Sequence, residues 1–322
     1  MEKNCLNCTN VRKVAIIGCG FVGAACAFSI MQSGLFSEMV LIDSDRARAE
    51  GEALDISHGV PFAKPIKIFA GSYDDIKNAS IVIITAGASQ KEGETRLDLV
   101  KKNISIFKSI IPEIKKRQYD GIILVVSNPV DILTTVTLKL SGLQKNKILG
   151  SGTVLDSARL KYELGEYLNV DPRSVHSFII GEHGDSEIVA WSGVNISGVS
   201  LDKFCEMRGY CLDHTEAMKQ IAENVKNSAY EIITKKRATY YGIAMSVKRI
   251  CEAIIRDEKS ILPVSSMMNG EYGLEGVSLS MPAIVGKDGV ETLVPIELSE
   301  EEIKLLQQSA EILKDVLKEN EV

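Results

Sequence analysis

The chain has 322 residues, of which 45% are hydrophobic and 25% charged, a balance typical of a globular protein too long for a single core. Its formal net charge of −6 argues against a broad nucleic-acid-binding surface, although a pocket can be basic on an acidic protein. Its apolar runs are shorter than the ~18 residues of a membrane span, and its start lacks the apolar core of a secretion signal. The scattered cysteines are typical of reduced thiols. We therefore expect a cytoplasmic protein without nucleic-acid or membrane partners.

The first half of the chain alternates short apolar runs with amphipathic segments. Strands are predicted at Val14–Ile17, Met39–Ile42, Ile66–Ala70, Ile81–Ala86 and Ile122–Val126. Helices are predicted between them at Phe21–Met31, Ala47–His58, Arg96–Arg117 and Val130–Leu140. This alternation is typical of a doubly wound α/β fold, in which a parallel sheet is covered by helices on both faces.

The second half has a different pattern. Helices are predicted at Val154–Leu168, Asp213–Lys235, Tyr240–Ile255 and Glu300–Lys318, and antiparallel strands at Ser174–Ile180 and Val277–Val294. Because the alternation stops near Gly150, we place a domain boundary between residues 149 and 150, with residues 1–12 as a flexible arm. Residues 150–322 would form an α+β domain, and a ligand cleft is expected between the two domains.

A glycine-rich turn follows the first predicted strand. Residues 18–23 read Gly-Cys-Gly-Phe-Val-Gly and open the first predicted helix. Gly18 permits the tight turn, Gly20 lets backbone N–H groups approach a pyrophosphate, and Gly23 lets helix and strand pack closely. Asp43 ends the next strand, where its carboxylate would accept from ribose hydroxyls and repel a 2′-phosphate. The pattern predicts a Rossmann domain at 1–149 that binds NAD; a glycine turn beside an exposed aspartate is the alternative.

Candidate acid–base residues lie in the second half. His183 stands in the glycine-flanked loop GEHGD after an apolar strand, and histidine titrates near neutral pH, as a proton donor must. Asp156 and Arg159 are three residues apart on a predicted helix and share a face. They can form an ordinary surface ion pair, or Asp156 can orient His183 while Arg159 holds a substrate carboxylate. The sequence leaves both interpretations open.

Two polar loops follow buried strands of the first half. Residues 87–96, GASQKEGETR, carry Gln90 and end in Arg96; such a loop can close over a substrate or simply lie at the surface. Asn128 follows another strand, at the carboxyl edge of the sheet where ligands bind. With His183 and Arg159, these residues would supply what reduction of a 2-keto acid needs: cations for the carboxylate and carbonyl, a proton donor and exclusion of water.

A metal site is not predicted. Cys5 and Cys8 form a C-x-x-C, but no second Cys/His pair has matching spacing, and no close His/Asp/Glu cluster supports a metal-dependent hydrolase. A frayed arm is the simpler interpretation of the two cysteines. A structural or binding protein that kept the fold without the chemistry is the other alternative from a different class.

The chain resembles the L-lactate/L-malate dehydrogenase family over roughly residues 12–320. The motifs that carry the resemblance are GCGFVG, TAGASQKEGETRLDLVKKN, VVSNPVDILT, GSGTVLDSARL, IIGEHGDSE and ATYYGIA. The resemblance implies an NAD-dependent enzyme that moves a hydride between nicotinamide and a small 2-keto or 2-hydroxy acid.

The resemblance also implies a role for each matching residue. His183 would donate and accept the proton, Asp156 would orient it, Arg159 would bind the carboxylate and Arg96 would polarise the carbonyl. Asn128 would donate a hydrogen bond to the substrate and Thr239 would line its pocket. The dinucleotide site would comprise Gly18, Gly20, Phe21, Val22, Gly23, Asp43, Gly87, Asn128 and Ile243, with Ile243 against the nicotinamide ring. A cis peptide before Pro129 is implied as well.

Gln90 bears on the choice of substrate. Within the resemblance this position faces the group on the far side of the keto carbon, where an arginine pairs with the second carboxylate of oxaloacetate. Gln90 offers no charge, so pyruvate and lactate are expected to be preferred. Malate or branched 2-hydroxy acids are the alternatives, since Lys91 can supply a charge and pocket volume cannot be judged from sequence.

The chain departs from the family pattern in two places. Arg237 stands where many relatives have glycine, which can alter the backbone before Thr239. Bacterial members often bind fructose 1,6-bisphosphate between subunits through an arginine and a histidine; His176 matches the histidine, but Lys161 replaces the arginine. Lysine still binds phosphate, without the planar fork. The resemblance therefore implies a homo-oligomer, expected to be a tetramer, and a candidate allosteric site at Lys161 and His176; an ordinary interface lysine and histidine is the alternative.

Overall fold

The structure, a computed structural model, describes residues 12–88, 96–209 and 214–320. Cys5, Cys8, Gln90, Lys91 and the side chain of Arg96 lie outside the described residues. The strands are β1 Lys13–Ile17, β2 Glu38–Ile42, β3 Lys67–Ala70, β4 Ala79–Ile84, β5 Ile122–Val125, β6 Ile148–Gly150, β7 Val175–His176, β8 Ile179–Gly181, β9 Glu187–Val189, β10 Asn195–Ile196, β11 Val199–Ser200, β12 Ser260–Asn269, β13 Glu275–Gly286 and β14 Gly289–Leu293. The helices are α1 Phe21–Ser33, α2 Arg46–His58, α3 Arg96–Lys116, α4 Val130–Ser141, α5 Val154–Leu168, α6 Leu201–Met207, α7 Thr215–Lys236, α8 Tyr241–Ile255 and α9 Glu300–Glu319.

The first half forms the predicted parallel sheet. Its order is β3-β2-β1-β4-β5-β6, and every neighbouring pair is parallel. Alternate residues of one strand enter different cores: Ala15 and Ile17 pack with α3 and α4, whereas Val14 and Ile16 pack with α1, α2 and α8. Burial on both faces explains why these strands are apolar throughout. The predicted doubly wound Rossmann fold is confirmed.

The second half continues the same sheet in antiparallel fashion. β12 joins β6 where Ser265 pairs with Gly150, and β13, β8 and β9 follow in that order. β14 pairs with the other part of β13, and β11-β10-β7 form a separate small sheet. α5, α7 and α8 pack against each other or against these strands, as an α+β arrangement requires.

One strand prediction in the second half was wrong. Ser174–Ile180 was expected to be one strand, but it divides into β7 and β8, which belong to different sheets. The antiparallel strands predicted in Val277–Val294 are confirmed: they are β13 and β14, which pair antiparallel and are separated by a turn ending in Gly289, whose φ is +90°. β12 was not predicted, because Pro263 and paired serines interrupt its apolar pattern. Among the described helices, none is long and apolar enough to cross a lipid bilayer.

Candidate active site

The glycine-rich turn has the close contacts that its three glycines suggested. Gly18 has a φ of +100°, and a Cβ there would lie 2.4 Å from the backbone nitrogen of Ala86. A Cβ at Gly23 would lie 1.9 Å from the carbonyl oxygen of Gly18, so α1 can approach β1 only with glycine at this position. At Gly20, by contrast, a Cβ would meet nothing within 4 Å. The backbone at Gly20 therefore stays open on the side from which a ligand would come.

A cavity of about 490 Å³ opens at this turn. Gly20 lines it as the N-cap of α1, so the first turn of the helix can offer backbone donors and a favourable dipole to an anion. Gly18, Asp43 and Gly87 line it as well, and so does Arg48. These features fit the pyrophosphate and adenosine end of a dinucleotide.

Asp43 is held by the backbone around it. Its Oδ2 accepts from the N–H of Cys19 at 2.6 Å, and its Oδ1 accepts from the N–H of Asp45 at 2.9 Å. These bonds fix the carboxylate at the end of β2, facing the cavity. Burial of the Cys19 thiol and the nearby charge of Asp43 raise the pKa of Cys19 to about 12. The thiol therefore stays protonated and unreactive, and Cys19 has a structural role in the turn.

Three further residues expected at the dinucleotide site, Phe21, Val22 and Ile243, lie in α1 and α8. Phe21 is 70% exposed and stacks on Tyr240, with ring centroids 5.6 Å apart. Val22 and Ile243 are half-buried and pack against the core beneath α1 and α8. Neither Val22 nor Ile243 is among the described residues that line the 490 Å³ cavity.

His183, Asp156 and Arg159 form one hydrogen-bonded unit. Asp156, in the first turn of α5, is 2% exposed. Its Oδ2 lies 2.6 Å from Nδ1 of His183, and its Oδ1 accepts from Nη1 of Arg159 at 2.7 Å. Asp156 is therefore not part of a simple surface ion pair. With Nδ1 engaged, Nε2 is the nitrogen of His183 that can serve a substrate.

The surrounding charges favour a protonated histidine. Burial of His183 opposes its positive charge, but the carboxylate of Asp156, followed by those of Asp131 and Glu187, outweighs burial and raises the pKa of His183 to about 9. Burial would raise the pKa of Asp156, but His183 and Arg159 hold it below its usual range. His183 thus carries a proton at neutral pH, as a donor to a developing alkoxide must.

A second cavity, of about 270 Å³, surrounds this unit. His183, Arg159 and Asn128 all line it, which brings residues of both halves of the chain to one place. The peptide between Asn128 and Pro129 is cis, as expected. Asn103 fixes the backbone here, since its Nδ2 donates to the carbonyl of Asn128 at 2.7 Å and its Oδ1 accepts from the N–H of Ala88 at 2.8 Å.

Three polar residues of this region were missed from the sequence. Asn103 links the start of loop 87–96, at Ala88, to Asn128. It lies in an amphipathic helix, where a single polar residue is no indication of a site. Asp131 is 1% exposed and accepts from the backbone N–H of His183 at 2.8 Å. Glu187 lines the cavity beside Asp156. Asp131 did leave a signal, since it is a charged residue in the otherwise uncharged start of an apolar helix.

The other expected site residues lie farther out. Thr239 is half-buried between α7 and α8, and it is not among the described residues that line either cavity. Arg237 adopts a left-handed conformation with a φ of +72° at the end of α7. Lys161 is half-buried on α5, and burial lowers the pKa of this lysine. His176 is exposed on β7, which packs against α5.

The same unit also resembles a metal site in its spacing, which the sequence did not lead us to expect. Asp156, His183 and Glu187 each place one oxygen or nitrogen within 4.8 Å of the others. The three residues lie on α5, a loop and β9, so their spacing in the sequence does not indicate a common site. Both oxygens of Asp156 are already engaged, and the adjacent guanidinium of Arg159 repels a cation, so we assign no metal here.

Comparison with known proteins gives a consistent result. Residues 12–150 match the family model of the lactate/malate dehydrogenase NAD-binding domain, and residues 153–322 match that of the lactate/malate dehydrogenase alpha/beta C-terminal domain. The L-lactate dehydrogenase of Acetivibrio thermocellus is 54% identical over 308 residues, covering 96% of this chain and 97% of that protein. That of Thermoanaerobacterium saccharolyticum is 53% identical over 310 residues, covering 96% and 99%.

Solved structures agree. A lactate dehydrogenase from a Medee basin deep-sea metagenome superimposes with a TM-score of 0.93 at 44% identity, covering 97% of this chain and 99% of that one. The ligand-bound minor L-lactate dehydrogenase of Enterococcus mundtii superimposes with a TM-score of 0.92 at 44% identity, covering 96% and 98%.

Proposed function

The chain belongs to the lactate/malate dehydrogenase family, and we propose that it is an NAD-dependent L-lactate dehydrogenase that interconverts pyruvate and L-lactate. One observation carries the chemistry: Asp156 holds both His183 and Arg159 in a cavity that Asn128 also lines. A proton donor and a carboxylate-binding cation thereby face the same small volume. The cofactor, bound at the glycine-rich turn, would supply the hydride.

We propose a separate task for each residue of the cavity. Arg159 binds the carboxylate of pyruvate, and Asn128 donates a hydrogen bond to the substrate. His183 donates its Nε2 proton to the carbonyl oxygen as the keto carbon is reduced, and it takes a proton from the hydroxyl of lactate in the reverse direction. Asp156 holds the imidazole by Nδ1 and stabilises its charged form. Thr239 and Ile243 would line the pocket and the nicotinamide side once ligands are bound.

Loop 87–96 would complete the site. Arg96 opens α3, directly after the part of the loop that lies outside the described residues. We propose that the loop closes over the substrate, bringing Arg96 to the carbonyl oxygen and Gln90 to the methyl group of pyruvate. An uncharged Gln90 leaves the second carboxylate of oxaloacetate without a partner, which is costly in a closed site.

The first experiment is a comparison of pyruvate and oxaloacetate by NADH oxidation at about 340 nm on one preparation. We expect kcat/KM to favour pyruvate by at least about 10³-fold, roughly 4 kcal/mol of transition-state stabilisation. A preference for oxaloacetate would keep the hydride chemistry but overturn the substrate, and would direct attention to Lys91. No turnover of either acid, with NADH still bound, would favour a protein that kept the fold alone.

Location, assembly and domain division are proposals as well. We infer a cytoplasmic homotetramer, supported by the free buried cysteines among the described residues and by the resemblance to bacterial lactate dehydrogenases. We place the division between a cofactor domain and a substrate domain at residues 149 and 150, supported by β6, which ends the parallel run there.

Activation by fructose 1,6-bisphosphate is a further proposal, resting on Lys161 and His176. Adding the bisphosphate should lower the KM for pyruvate or promote assembly, and Lys161→Met and His176→Gln should each weaken the response. Lys139→Met, on a different helix, is the matched control for loss of a lysine charge. An unchanged KM and assembly state of the unaltered enzyme would show that Lys161 and His176 are an ordinary interface lysine and histidine.

A further inference from the structure

A cavity of about 620 Å³, which we call the α7–α9 cavity, lies next to the cavity around His183. Its described lining residues come from α7, α9, β9 and the turn after β9. Its volume is typical of a site for a small organic molecule, and it exceeds the roughly 270 Å³ around His183. Neither His183 nor Arg159 is among its described lining residues, so the proposed reaction gives this cavity no role.

One wall of the α7–α9 cavity is an apolar strip of α9. Leu305 and Ile312 lie two turns apart on one face of the helix, are 43% and 48% exposed, and both line the cavity. Ile188 and Val189 of β9 line it as well. Exposed apolar side chains that gather at one cavity indicate a binding partner, whereas single ones scattered over a surface do not.

The same cavity has an excess of negative charge. Glu223 of α7 and Glu301 of α9 line it from the two helices, and both are exposed. Within the described part of the chain, neither carboxylate makes an ion pair or a hydrogen bond. Of the described lining residues Lys226 is the one cation, and its Nζ donates to the carbonyl of Asp185. The complementary ligand is therefore a cation that also carries hydrocarbon.

We propose that the α7–α9 cavity binds an aliphatic diamine or triamine. Its methylene chain would lie on Leu305 and Ile312, and its ammonium groups would pair with Glu223 and Glu301. Trp191 also lines the cavity, and its indole is the side chain that attracts an ammonium group most strongly. A monoamine would leave one carboxylate unpaired, and an inorganic cation would leave the apolar strip uncovered.

Trp191 is the only tryptophan of the chain, so its fluorescence reports on this cavity. The test is a titration of the unaltered enzyme with hexamethylenediamine and with spermidine at constant ionic strength, followed by fluorescence and by calorimetry. We expect a saturable change with a Kd below about 1 mM. Hexylamine, which has the same chain and one charge, should bind about threefold or more weakly. No saturable change up to about 10 mM diamine, or equal binding of hexylamine, would overturn the inference.

Single substitutions locate the ligand. Glu223→Gln and Glu301→Gln should each weaken binding of the diamine about twofold or more, because each removes one partner of an ammonium group. Glu300→Gln is the matched control, since Glu300 is exposed beside Glu301 but is not among the described lining residues. Equal weakening by Glu300→Gln would show a general attraction to an acidic surface and would count against a site.

Two further measurements exclude other occupants. Asp185, Glu187 and Lys226 line both cavities, so the titration is repeated with NADH and oxamate, an unreactive analogue of pyruvate. Displacement of the diamine by oxamate would place it in the cavity around His183 instead. Leu305→Gln should weaken diamine binding and leave the assembly state unchanged. A changed assembly state would mean that another copy of the chain covers the strip. None of these measurements needs turnover, so the inference fails or survives independently of the proposed dehydrogenase function.

Discussion

Oδ2 of Asp156 lies 2.6 Å from Nδ1 of His183, and this contact sets the proton affinity of the imidazole. Pyruvate reduction requires protonated His183, whose pKa is raised to about 9, so kcat/KM for pyruvate should hold up to that pH and decline above it. Lactate oxidation requires the neutral imidazole and should therefore rise over the same range. Initial rates in both directions between about pH 6 and 10 measure this.

Asp156→Asn removes the main source of that shift. We expect kcat for pyruvate to fall by about 10²-fold or more, and the alkaline limb to move down by more than about one pH unit, because burial, which lowers the histidine pKa, is then opposed only by the smaller effects of Asp131 and Glu187. His183→Asn, which abolishes the donor, is the comparison: it should lose rate at every pH while still binding NADH. A profile for Asp156→Asn that matches the unaltered enzyme would assign the pKa of His183 to another cause.

Asp43 is expected to select NADH over NADPH. Its carboxylate faces the cofactor cavity and would repel a 2′-phosphate, whereas Arg48, lining the same cavity, would attract one. Asp43→Asn keeps an oxygen that can accept from the backbone N–H groups of Cys19 or Asp45. The ratio of kcat/KM for NADPH to that for NADH should rise by about tenfold or more, and Arg48→Met should reverse the gain. An unchanged ratio would show that Asp43 stabilises the glycine-rich turn but does not select between NADH and NADPH.

Glu187 should make the protein less stable at alkaline pH. Burial, together with the charge of Asp156, raises its pKa from the ordinary 4.5 to about 8. Between those values the unfolded chain loses the proton while the folded one keeps it, so the free energy of unfolding falls as pH rises from 4.5 to about 8. At lower pH both states are protonated and no penalty exists.

Glu187→Gln stays neutral and should escape this penalty. Allowing for the partial exposure of Glu187, we expect the variant to gain at least about 1 kcal/mol over the unaltered protein at pH ~8.5, and nothing near pH ~4.5. Urea unfolding at fixed protein concentration at both pH values measures the difference. Glu223→Gln, an exposed change on α7, is the control and should show no such dependence. A gain equal at both pH values would contradict the assignment.

Arg237 is an arginine in a conformation that favours glycine. Its φ is +72°, and its N–H caps α7 by donating to the carbonyl of Ile233 at 2.7 Å. A side chain in the left-handed region costs about 1 kcal/mol. Arg237→Gly should therefore raise the free energy of unfolding by about 0.5–1 kcal/mol, whereas Lys235→Gly, inside the helix, should lower it by about 1 kcal/mol. Destabilisation by Arg237→Gly would mean that the arginine side chain makes a compensating contact.

Features that depend on neighbouring residues could be predicted from the sequence, whereas contacts between residues far apart in the chain could not. Strands β1 to β5 and most of the long helices follow from apolar periodicity, and the glycine-rich turn from its steric requirements. The link between Ser265 and Asp131 could not be predicted, because the two residues are 134 positions apart and neither alone indicates a partner. β12 was missed for a related reason, since burial of Ser265 is offset by the hydrogen bond that Asp131 accepts from it, and the sequence does not indicate that bond.

Gln90 lies outside the described residues, so its role rests on sequence and is best tested by charge. Gln90→Arg would offer a bidentate partner to the second carboxylate of oxaloacetate, in a site from which the closed loop excludes water. We expect the ratio of kcat/KM for oxaloacetate to that for pyruvate to rise by at least about 10²-fold. Lys91→Gln, one residue along the loop, is the matched control and should leave that ratio unchanged. If Lys91→Gln alters the ratio and Gln90→Arg does not, Lys91 rather than Gln90 discriminates between the two substrates. The prediction that Gln90 causes the preference for pyruvate would then be wrong.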